Sequence, residues 1–153
     1  MSLPPLPDSA VVLGAHADDW RSAVTIAGDA LVRSGATEAS YTGRMIDVID
    51  EFGAYVVIAP GLALAHARPG ADVLREGISV VTLDDGVAFG HPHNDPVSVI
   101  LGLAVTTPES HVTSIADLAN VFNDADTIPA LRAAASADEV RSILRTTDAE
   151  KQR

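Results

Sequence analysis

Apolar side chains recur every three to four residues in two stretches near the start of the chain, and this spacing predicts two helices. We expect the first helix between Asp18 and Gly35, and the second between Thr37 and Gly53. In each case polar residues precede the apolar face and a glycine follows it, as is usual where helices begin and end. The pattern therefore predicts two amphipathic helices before any strand.

Continuous apolar runs, rich in β-branched residues and bounded by turn formers, come next. Four runs predict strands, at residues 55–59, 62–68, 78–83 and 97–105, and residues 84–95 have the composition of a turn-rich connection. Such runs are typical of strands whose two faces are both buried.

Helical spacing returns in the last third of the chain. It predicts a third helix from Pro108 to about Phe122, a short helical piece at 128–135 and a last helix after a capping-box pattern at 136–139. Residues 146–153 are expected to fray. Helices before, beside and after the strands indicate an α/β domain whose sheet is covered by helices on both faces.

Composition and charge argue against several classes of function. The chain has 153 residues, no cysteine and a formal charge of −11 with no basic run, so binding to nucleic acid or to an anionic membrane surface is disfavoured. The first ten residues lack the positive charge of a secretory signal, and the longest apolar runs are short and broken by proline or glycine. We expect a cytoplasmic protein without thiol chemistry.

The histidines are the main candidates for chemistry. His66 ends an apolar stretch, and if that stretch is extended, alternation places Arg68 on the same side of the strand. A neutral imidazole can attack phosphorus while a guanidinium holds the phosphoryl oxygens. A buried histidine bonded to the backbone is an equally good interpretation of His66 from spacing alone.

Two other positions carry alternative chemistry. His91, His93 and Asp95 stand at alternate positions, a pattern that resembles the first ligand cluster of metallo-β-lactamase-like hydrolases and that also suits a plain polar turn. His111 falls at a predicted strand-to-helix junction, where a helix N-terminus favours a phosphate, or where it is simply an exposed residue at the helix start. His16 has no assigned role.

Residues 41–69, with His66 near their end, closely resemble the enzyme IIA components of the bacterial sugar phosphotransferase system. Within them, the segment is most similar to the mannitol/fructose type and to its ascorbate-specific branch. Residues 89–97, the Ser110-His111 pair and the helical residues 112–122 that follow it extend the resemblance. It implies a lead at residues 1–9, an EIIA type-2 domain at 10–148 and a tail at 149–153, with a mixed β-sheet flanked by helices.

The resemblance also implies a phosphotransferase function. Such a domain accepts a phosphoryl group from the carrier protein HPr on one histidine, here His66, and passes it to a cysteine of enzyme IIB. His111 would bind the phosphoryl group, and Arg68 and Asp95 are candidates for a further phosphoryl contact and for orienting a histidine. The chain has room for no fused IIB, so IIB would be a separate chain, with the IIC membrane transporter an indirect partner.

Three departures from the family pattern bear on the site, and one of them is His93, which stands where an acidic residue is expected in the ascorbate branch. Ala65 stands where a proline usually precedes the active histidine, and the arginine that mannitol-type members carry after the methionine of the second helix is missing after Met45. Arg68 is therefore the candidate for that charge.

No metal or nucleotide cofactor is required by this mechanism, and a free-standing domain can dimerise through a helix face. Two other hypotheses remain open. One is a related regulatory phosphoprotein that is not coupled to transport, and the other is the metal-dependent hydrolase built on His91, His93 and Asp95.

Overall fold

Five strands form a single mixed sheet, and helices cover both of its faces, as predicted. The computed structural model describes residues 3–146. The strands are β1 (Val11–Ala15), β2 (Val57–Ala59), β3 (Leu62–His66), β4 (Gly77–Val87) and β5 (Val97–Ala104). The helices are α1 (Trp20–Arg33), α2 (Ala39–Phe52), α3 (Pro108–Phe122), α4 (Thr127–Ala133) and α5 (Ala137–Leu144), with 3₁₀ turns at Asp8–Ala10 and Ala54–Val56.

The order of the strands across the sheet is β1-β4-β5-β3-β2. β1 pairs with β4 and β3 pairs with β5 in parallel, while the β4–β5 and β2–β3 pairs are antiparallel. β3 therefore has a partner on each side. Its last residue, His66, pairs with Leu103 of β5.

Alternation along β3 divides the core into two layers. Ala63 and Ala65 pack with α1 and α2, whereas Leu62 and Leu64 pack with α3, α4 and α5. Each buried leucine contributes about 1.5–3 kcal/mol to the hydrophobic stabilisation of the fold. Because side chains alternate, His66 follows Leu64 onto the face that α3 covers.

Helices α1 and α2 approach closely at Gly28. A β-carbon added to Gly28 would lie 2.2 Å from the Oγ1 atom of Thr42, so no other residue fits there without displacing a helix. On the sheet side of α1, the Ser79 hydroxyl donates a hydrogen bond of 2.8 Å to the Ala27 carbonyl. These contacts hold the α1–α2 layer against the sheet.

The predicted helices are confirmed, and three of them have side-chain caps. Asp19 accepts a hydrogen bond from the Ser22 N–H at the start of α1, and Thr107 accepts one from the Ser110 N–H at the start of α3. The predicted capping pattern at 136–139 forms its first half, in which Ser136 accepts from the Glu139 N–H.

The strand prediction missed β1 and misplaced several ends. β1 precedes both early helices, so the expectation that two helices come first is wrong; this short run directly follows a proline-rich stretch. The run at 55–59 becomes strand only at Val57 because Ala54–Val56 forms a 3₁₀ turn, and β4 continues to Val87 into the predicted connection. The run at 62–68 stops at His66, so the alternation argument does not extend to Arg68.

The first residues of the described chain belong to the core. Leu3 and Leu6 are buried in the α3–α5 layer, and the Arg141 guanidinium donates to the Leu6 carbonyl at 3.0 Å. Thr146, expected to fray, donates to the Pro4 carbonyl at 2.8 Å, and the rest of that expected tail, 147–153, lies outside the described residues. Over residues 3–146 no helix is long and apolar enough to cross a membrane.

Candidate functional site

His66 presents one particular nitrogen for chemistry. Its Nδ1 atom lies 3.0 Å from the Leu64 carbonyl oxygen. A carbonyl only accepts hydrogen bonds, so Nδ1 carries the proton and donates it. In the neutral ring Nε2 then carries the unshared electron pair. The strand end thus fixes the tautomer in which Nε2 is the nucleophilic atom.

The surroundings of His66 keep the imidazole neutral. Burial lowers the pKa of His66 below its ordinary value of 6.5, and the neighbouring His111 lowers it further, while the hydrogen bond to the Leu64 carbonyl opposes both effects. A neutral ring at pH 7 has the electron pair that attack on phosphorus requires.

His111 reaches the same place from the other layer of the fold. It lies in the first turn of α3, and its ring centroid is 5.0 Å from that of His66. The His111 Nδ1 atom is buried and has no hydrogen-bond partner among the described residues. The positive end of the α3 dipole lies at this turn, so the position favours an anionic group.

An open cavity of about 530 Å³ surrounds the two rings. Its lining consists of aromatic, aliphatic and basic side chains and includes no carboxylate: Val48, Phe52, Tyr55, His66, Ala67, Arg68 and His111. A second cavity of about 650 Å³ adjoins it and shares Arg68 and His111, again without an acidic residue. The chain has a formal charge of −11, but no negatively charged side chain lines these two cavities. A phosphoryl group bound here would therefore not be repelled by the lining residues.

Arg68 is the cation of the site. Its side chain is exposed and lines both cavities, and no described residue forms a hydrogen bond or ion pair with its guanidinium. Arg68 and His66 therefore share one cavity, although by a different route from the predicted strand alternation.

Arg44, which immediately precedes Met45, is already engaged. Its guanidinium donates two hydrogen bonds to Asp72, at 2.9 and 2.6 Å, and one to the Arg68 carbonyl at 2.9 Å. The ion pair raises the pKa of Arg44 and lowers that of Asp72. Arg44 thus holds the backbone behind Arg68 and leaves Arg68 as the unpaired arginine that faces the cavity.

Exposed apolar side chains form a rim around the opening. Phe52 is 66% exposed, Tyr55 49% and Val112 68%. The Tyr55 ring meets the His66 ring edge to face at 6.2 Å, and the Phe52 ring meets Tyr55 in the same way at 6.3 Å. This apolar rim, formed by Phe52, Tyr55 and Val112, is a surface suited to a protein partner.

The loop at 91–95 does not have either of the roles considered for it. The Asp95 carboxylate accepts hydrogen bonds from the backbone N–H groups of Phe89, Gly90 and His91 and contacts no described histidine ring, so the expectation that it orients a histidine is not met. The His91 Nδ1 atom likewise accepts from the backbone N–H groups of residues 93 and 94.

The metal-site hypothesis for His91, His93 and Asp95 fails on geometry. Across residues 3–146 no three side chains of the metal-binding types converge to hold an ion. The loop's polar groups instead satisfy its own backbone.

His16 lies outside the site. Its ring nitrogens contact Asp18 at 3.0 Å and Asp84 at 3.4 Å, and these carboxylates raise the pKa of His16. All three side chains are exposed, so the cluster is a surface ion-pair network.

The geometry around His66 agrees with the comparison to known proteins. Residues 5–146 match the family described as "Phosphoenolpyruvate-dependent sugar phosphotransferase system, EIIA 2". The chain belongs to this EIIA family. An ascorbate-specific PTS system EIIA component from Escherichia coli (strain K12) is 36% identical over 143 residues, 93% of each chain.

Two solved EIIA structures share the fold. One is a complex of enzyme IIAMTL and phosphorylated enzyme IIBMTL from Escherichia coli, with a TM-score of 0.78, 28% identity and coverage of 90% of this chain and 94% of that one. The other is nitrogen regulatory protein IIA-Ntr from Neisseria meningitidis, with a TM-score of 0.78, 25% identity and coverage of 91% and 95%. Membership of the EIIA family assigns the chain a part in phosphoryl transfer.

Several residues that line or support the cavity are not predicted from the sequence. Phe52 falls within the predicted second helix and Tyr55 within the predicted strand at 55–59, with no role in a site, yet both line the cavity. The spacing of Phe52 did hold a signal, because it is the last apolar residue of its helix and so lies beyond the core. The contact of Arg44 with Asp72 joins distant parts of the chain and has no local signature.

Proposed function

We propose that this EIIA protein is a phosphoryl carrier that accepts a phosphoryl group from HPr on Nε2 of His66 and passes it to a cysteine of a separate enzyme IIB. One observation carries the proposal: the Nδ1–Leu64 hydrogen bond leaves Nε2 as the free nitrogen of a partly buried, neutral ring that lies beside His111. The resemblance of residues 41–69 to the family motif supports the same histidine.

The transfer exchanges one phosphorus–nitrogen bond for another. The electron pair of Nε2 attacks the phosphorus of phosphorylated HPr, and the bond between phosphorus and the HPr imidazole breaks, with its electron pair staying on that ring. The proton on Nδ1 of His66 stays on that nitrogen throughout and remains hydrogen-bonded to the Leu64 carbonyl. In the second transfer a thiolate of IIB attacks the phosphorus, and Nε2 recovers its electron pair. No metal or nucleotide enters either step.

Charge on the phosphoryl oxygens is met by groups that already line the cavity. His111 and Arg68 are the donors, each contributing on the order of 1.5–3 kcal/mol through a charge-assisted hydrogen bond. Neither donor has another hydrogen-bonded partner to leave: the Arg68 guanidinium and the buried His111 Nδ1 atom are unpaired among the described residues. Catalysis here is positioning and charge stabilisation.

The apolar rim of Phe52, Tyr55 and Val112 is the proposed docking surface for both partners. A partner must bring its reactive atom within bonding distance of Nε2, so it must cover this rim. Exposed aromatic residues next to an arginine are the composition of interface hot spots. The IIAMTL–IIBMTL complex among the related structures supports IIB as a partner.

We propose that the protein acts in the cytoplasm and serves a pathway of ascorbate uptake. Similarity to the ascorbate-specific EIIA component supports this substrate. In this system the IIC transporter selects the sugar, so the assignment comes from relatedness and from no contact in the site.

A phosphotransfer assay tests the proposal. Wild type, His66→Gln and the matched control His93→Gln, which alters an exposed histidine outside both cavities, are incubated with labelled phosphoenolpyruvate, enzyme I and HPr. We expect one acid-labile phosphate on wild type and on His93→Gln and none on His66→Gln. Label on His66→Gln would overturn the assignment. Discharge to a panel of IIB proteins then identifies the pathway.

A regulatory role is the second candidate, favoured by the likeness to nitrogen regulatory protein IIA-Ntr. The same assay separates the two. A regulatory protein takes up the label but does not discharge it to any IIB, whereas a transport component discharges it rapidly to its cognate IIB. Neighbouring genes for IIB and IIC proteins would also favour transport.

A further inference from the structure

Pairing between strands β3 and β5 ends at His66, the proposed phosphoryl acceptor. The last paired residues are His66 and Leu103. Directly beyond them, the Tyr41 hydroxyl accepts a hydrogen bond of 3.0 Å from the Ala67 N–H and donates one of 2.6 Å to the Leu103 carbonyl. One side-chain oxygen thus joins the two strands at the point where their own hydrogen bonds stop.

Tyr41 is held firmly in this position. It projects from α2 into the core and has no exposed surface. Burial raises the pKa of Tyr41 to about 12, so the hydroxyl keeps the proton that it donates to Leu103. The Arg44 guanidinium lies 5.2 Å from the centre of the tyrosine ring and binds the Arg68 carbonyl. Residues 67 and 68 are therefore each tied to α2 immediately after His66.

These ties matter because the His66 ring is aimed by its backbone. The Leu64 carbonyl fixes which nitrogen is free, but the direction of Nε2 depends on the backbone angles at His66, and these depend on where Ala67 is held. A displacement of about 1 Å at a reacting atom costs on the order of a hundredfold in rate.

We propose that Tyr41 is a positioning residue for phosphoryl transfer, whose hydroxyl fixes the backbone leaving His66 so that Nε2 points into the cavity. The inference rests on the proposed function of His66 and adds to it a buried group that touches no partner and no phosphoryl oxygen. It acts through the Ala67 backbone, whose carbonyl is 3.3 Å from the hydroxyl, and through the Leu103 carbonyl.

The test compares Tyr41→Phe with wild type in single-turnover transfer from phosphorylated HPr. Phenylalanine keeps the ring in the core and removes only the oxygen. We expect the transfer rate constant to fall tenfold or more while the KM for phosphorylated HPr stays within about twofold, because the docking surface is unchanged. Nitrogen-15 NMR of the ring should show that the Nδ1–H tautomer of His66, dominant in wild type, becomes mixed in Tyr41→Phe.

Thr127→Val is the matched control. The Thr127 hydroxyl is buried and donates a hydrogen bond of 2.9 Å to the Val121 carbonyl. Val121 is ten positions along α3 from His111, or about 15 Å along the helix axis. It loses a buried hydroxyl-to-carbonyl bond, as Tyr41→Phe does, and we expect it to be less stable with an unchanged transfer rate and tautomer. If Tyr41→Phe does not fold, Arg44→Gln is the second variant. The Arg44 side chain is partly exposed, and its replacement removes the hydrogen bond to the Arg68 carbonyl. We expect a smaller loss of transfer rate at unchanged KM.

The outcomes separate this inference from the proposed function. If wild type takes up label at His66 and Tyr41→Phe transfers as fast as Thr127→Val with an unchanged tautomer, the positioning role is wrong and the proposed function stands. If wild type takes up no label, both are wrong.

Discussion

The rings of His66 and His111 lie 5.0 Å apart, although one ends a central strand and the other begins a helix of the covering layer. The two are brought together because alternation along β3 turns His66 towards the face that α3 covers. The pair, with Arg68 at the cavity edge, is the arrangement from which the phosphoryl-carrier account follows.

Replacing Arg68 should slow transfer without weakening the fold. Arg68→Ala removes one charge-assisted donor, so we expect the transfer rate to fall about ten- to a hundredfold. The free energy of unfolding should change by less than about 0.5 kcal/mol, because the side chain is exposed and unpaired. Arg132→Ala makes the same change of charge at an exposed position of α4 outside both His66 cavities, and equal slowing in this control would remove Arg68 from the site.

The ionisation of His66 should be visible in solution. Burial lowers its pKa, so an NMR titration should give a midpoint below 6.5, whereas His16, whose pKa is raised by Asp18 and Asp84, should titrate above 6.5 in the same sample. A His66 midpoint at or above 6.5 would show that the ring is not held neutral.

The same shift predicts a pH dependence of stability. Between the lowered pKa of folded His66 and its ordinary value of 6.5, the unfolded chain binds a proton that the folded chain does not. The stabilisation from the neutral ring is therefore complete above about pH 6.5 and is lost as the pH falls through that window. Urea unfolding should show a larger loss of stability from pH 7.5 to pH 5 in wild type than in His66→Gln; an equal loss in both would contradict this.

The apolar rim should affect partner binding and not the chemistry. Phe52→Ala removes an exposed ring beside the cavity, and we expect the KM for phosphorylated HPr to rise about five- to thirtyfold with little change in the limiting rate. Leu74→Ala is the control, since Leu74 is 58% exposed and lines neither cavity. The docking surface is misplaced if Phe52→Ala and Leu74→Ala have the same KM.

Two glycines on adjacent helices should respond in opposite directions to alanine. Gly28→Ala drives a methyl group into Thr42, so we expect a loss of about 1–3 kcal/mol in unfolding free energy. Gly43 on α2 has open space where the methyl group would go, so Gly43→Ala should stabilise by about 0.5–1 kcal/mol. Chemical denaturation of both variants checks the pair, and a stable Gly28→Ala would contradict the close α1–α2 packing.

The predictable part of this fold is the part with local signatures. Helices α1, α2 and α3 have both an apolar period and end signals, and the β-branched runs locate the central strands. Strand β1 was missed because Val11–Ala15 is short and follows a proline-rich stretch. The predicted role of Asp95 is wrong because three backbone N–H groups donate hydrogen bonds to its carboxylate, and residue spacing does not reveal these contacts.

The chemistry of the site was predictable only in part. The candidates His66, His111 and Arg68 were found from a motif and from residue type, and they do lie at one cavity. The free nitrogen of His66 depends on a carbonyl two residues away, and the support from Tyr41 depends on contacts between α2 and β5. Such contacts exist only in the folded chain.

Identifying the nitrogen atom that carries the phosphoryl group decides whether His66 is the phosphoryl carrier. Nitrogen-15-labelled protein, phosphorylated through enzyme I and HPr, is examined by long-range proton–nitrogen and phosphorus-31 NMR. The hydrogen bond from Nδ1 to the Leu64 carbonyl predicts phosphorus on Nε2 of His66 and no phosphorus on any other histidine. Phosphorus on Nδ1 of His66, or on His111 or another ring, would contradict the account.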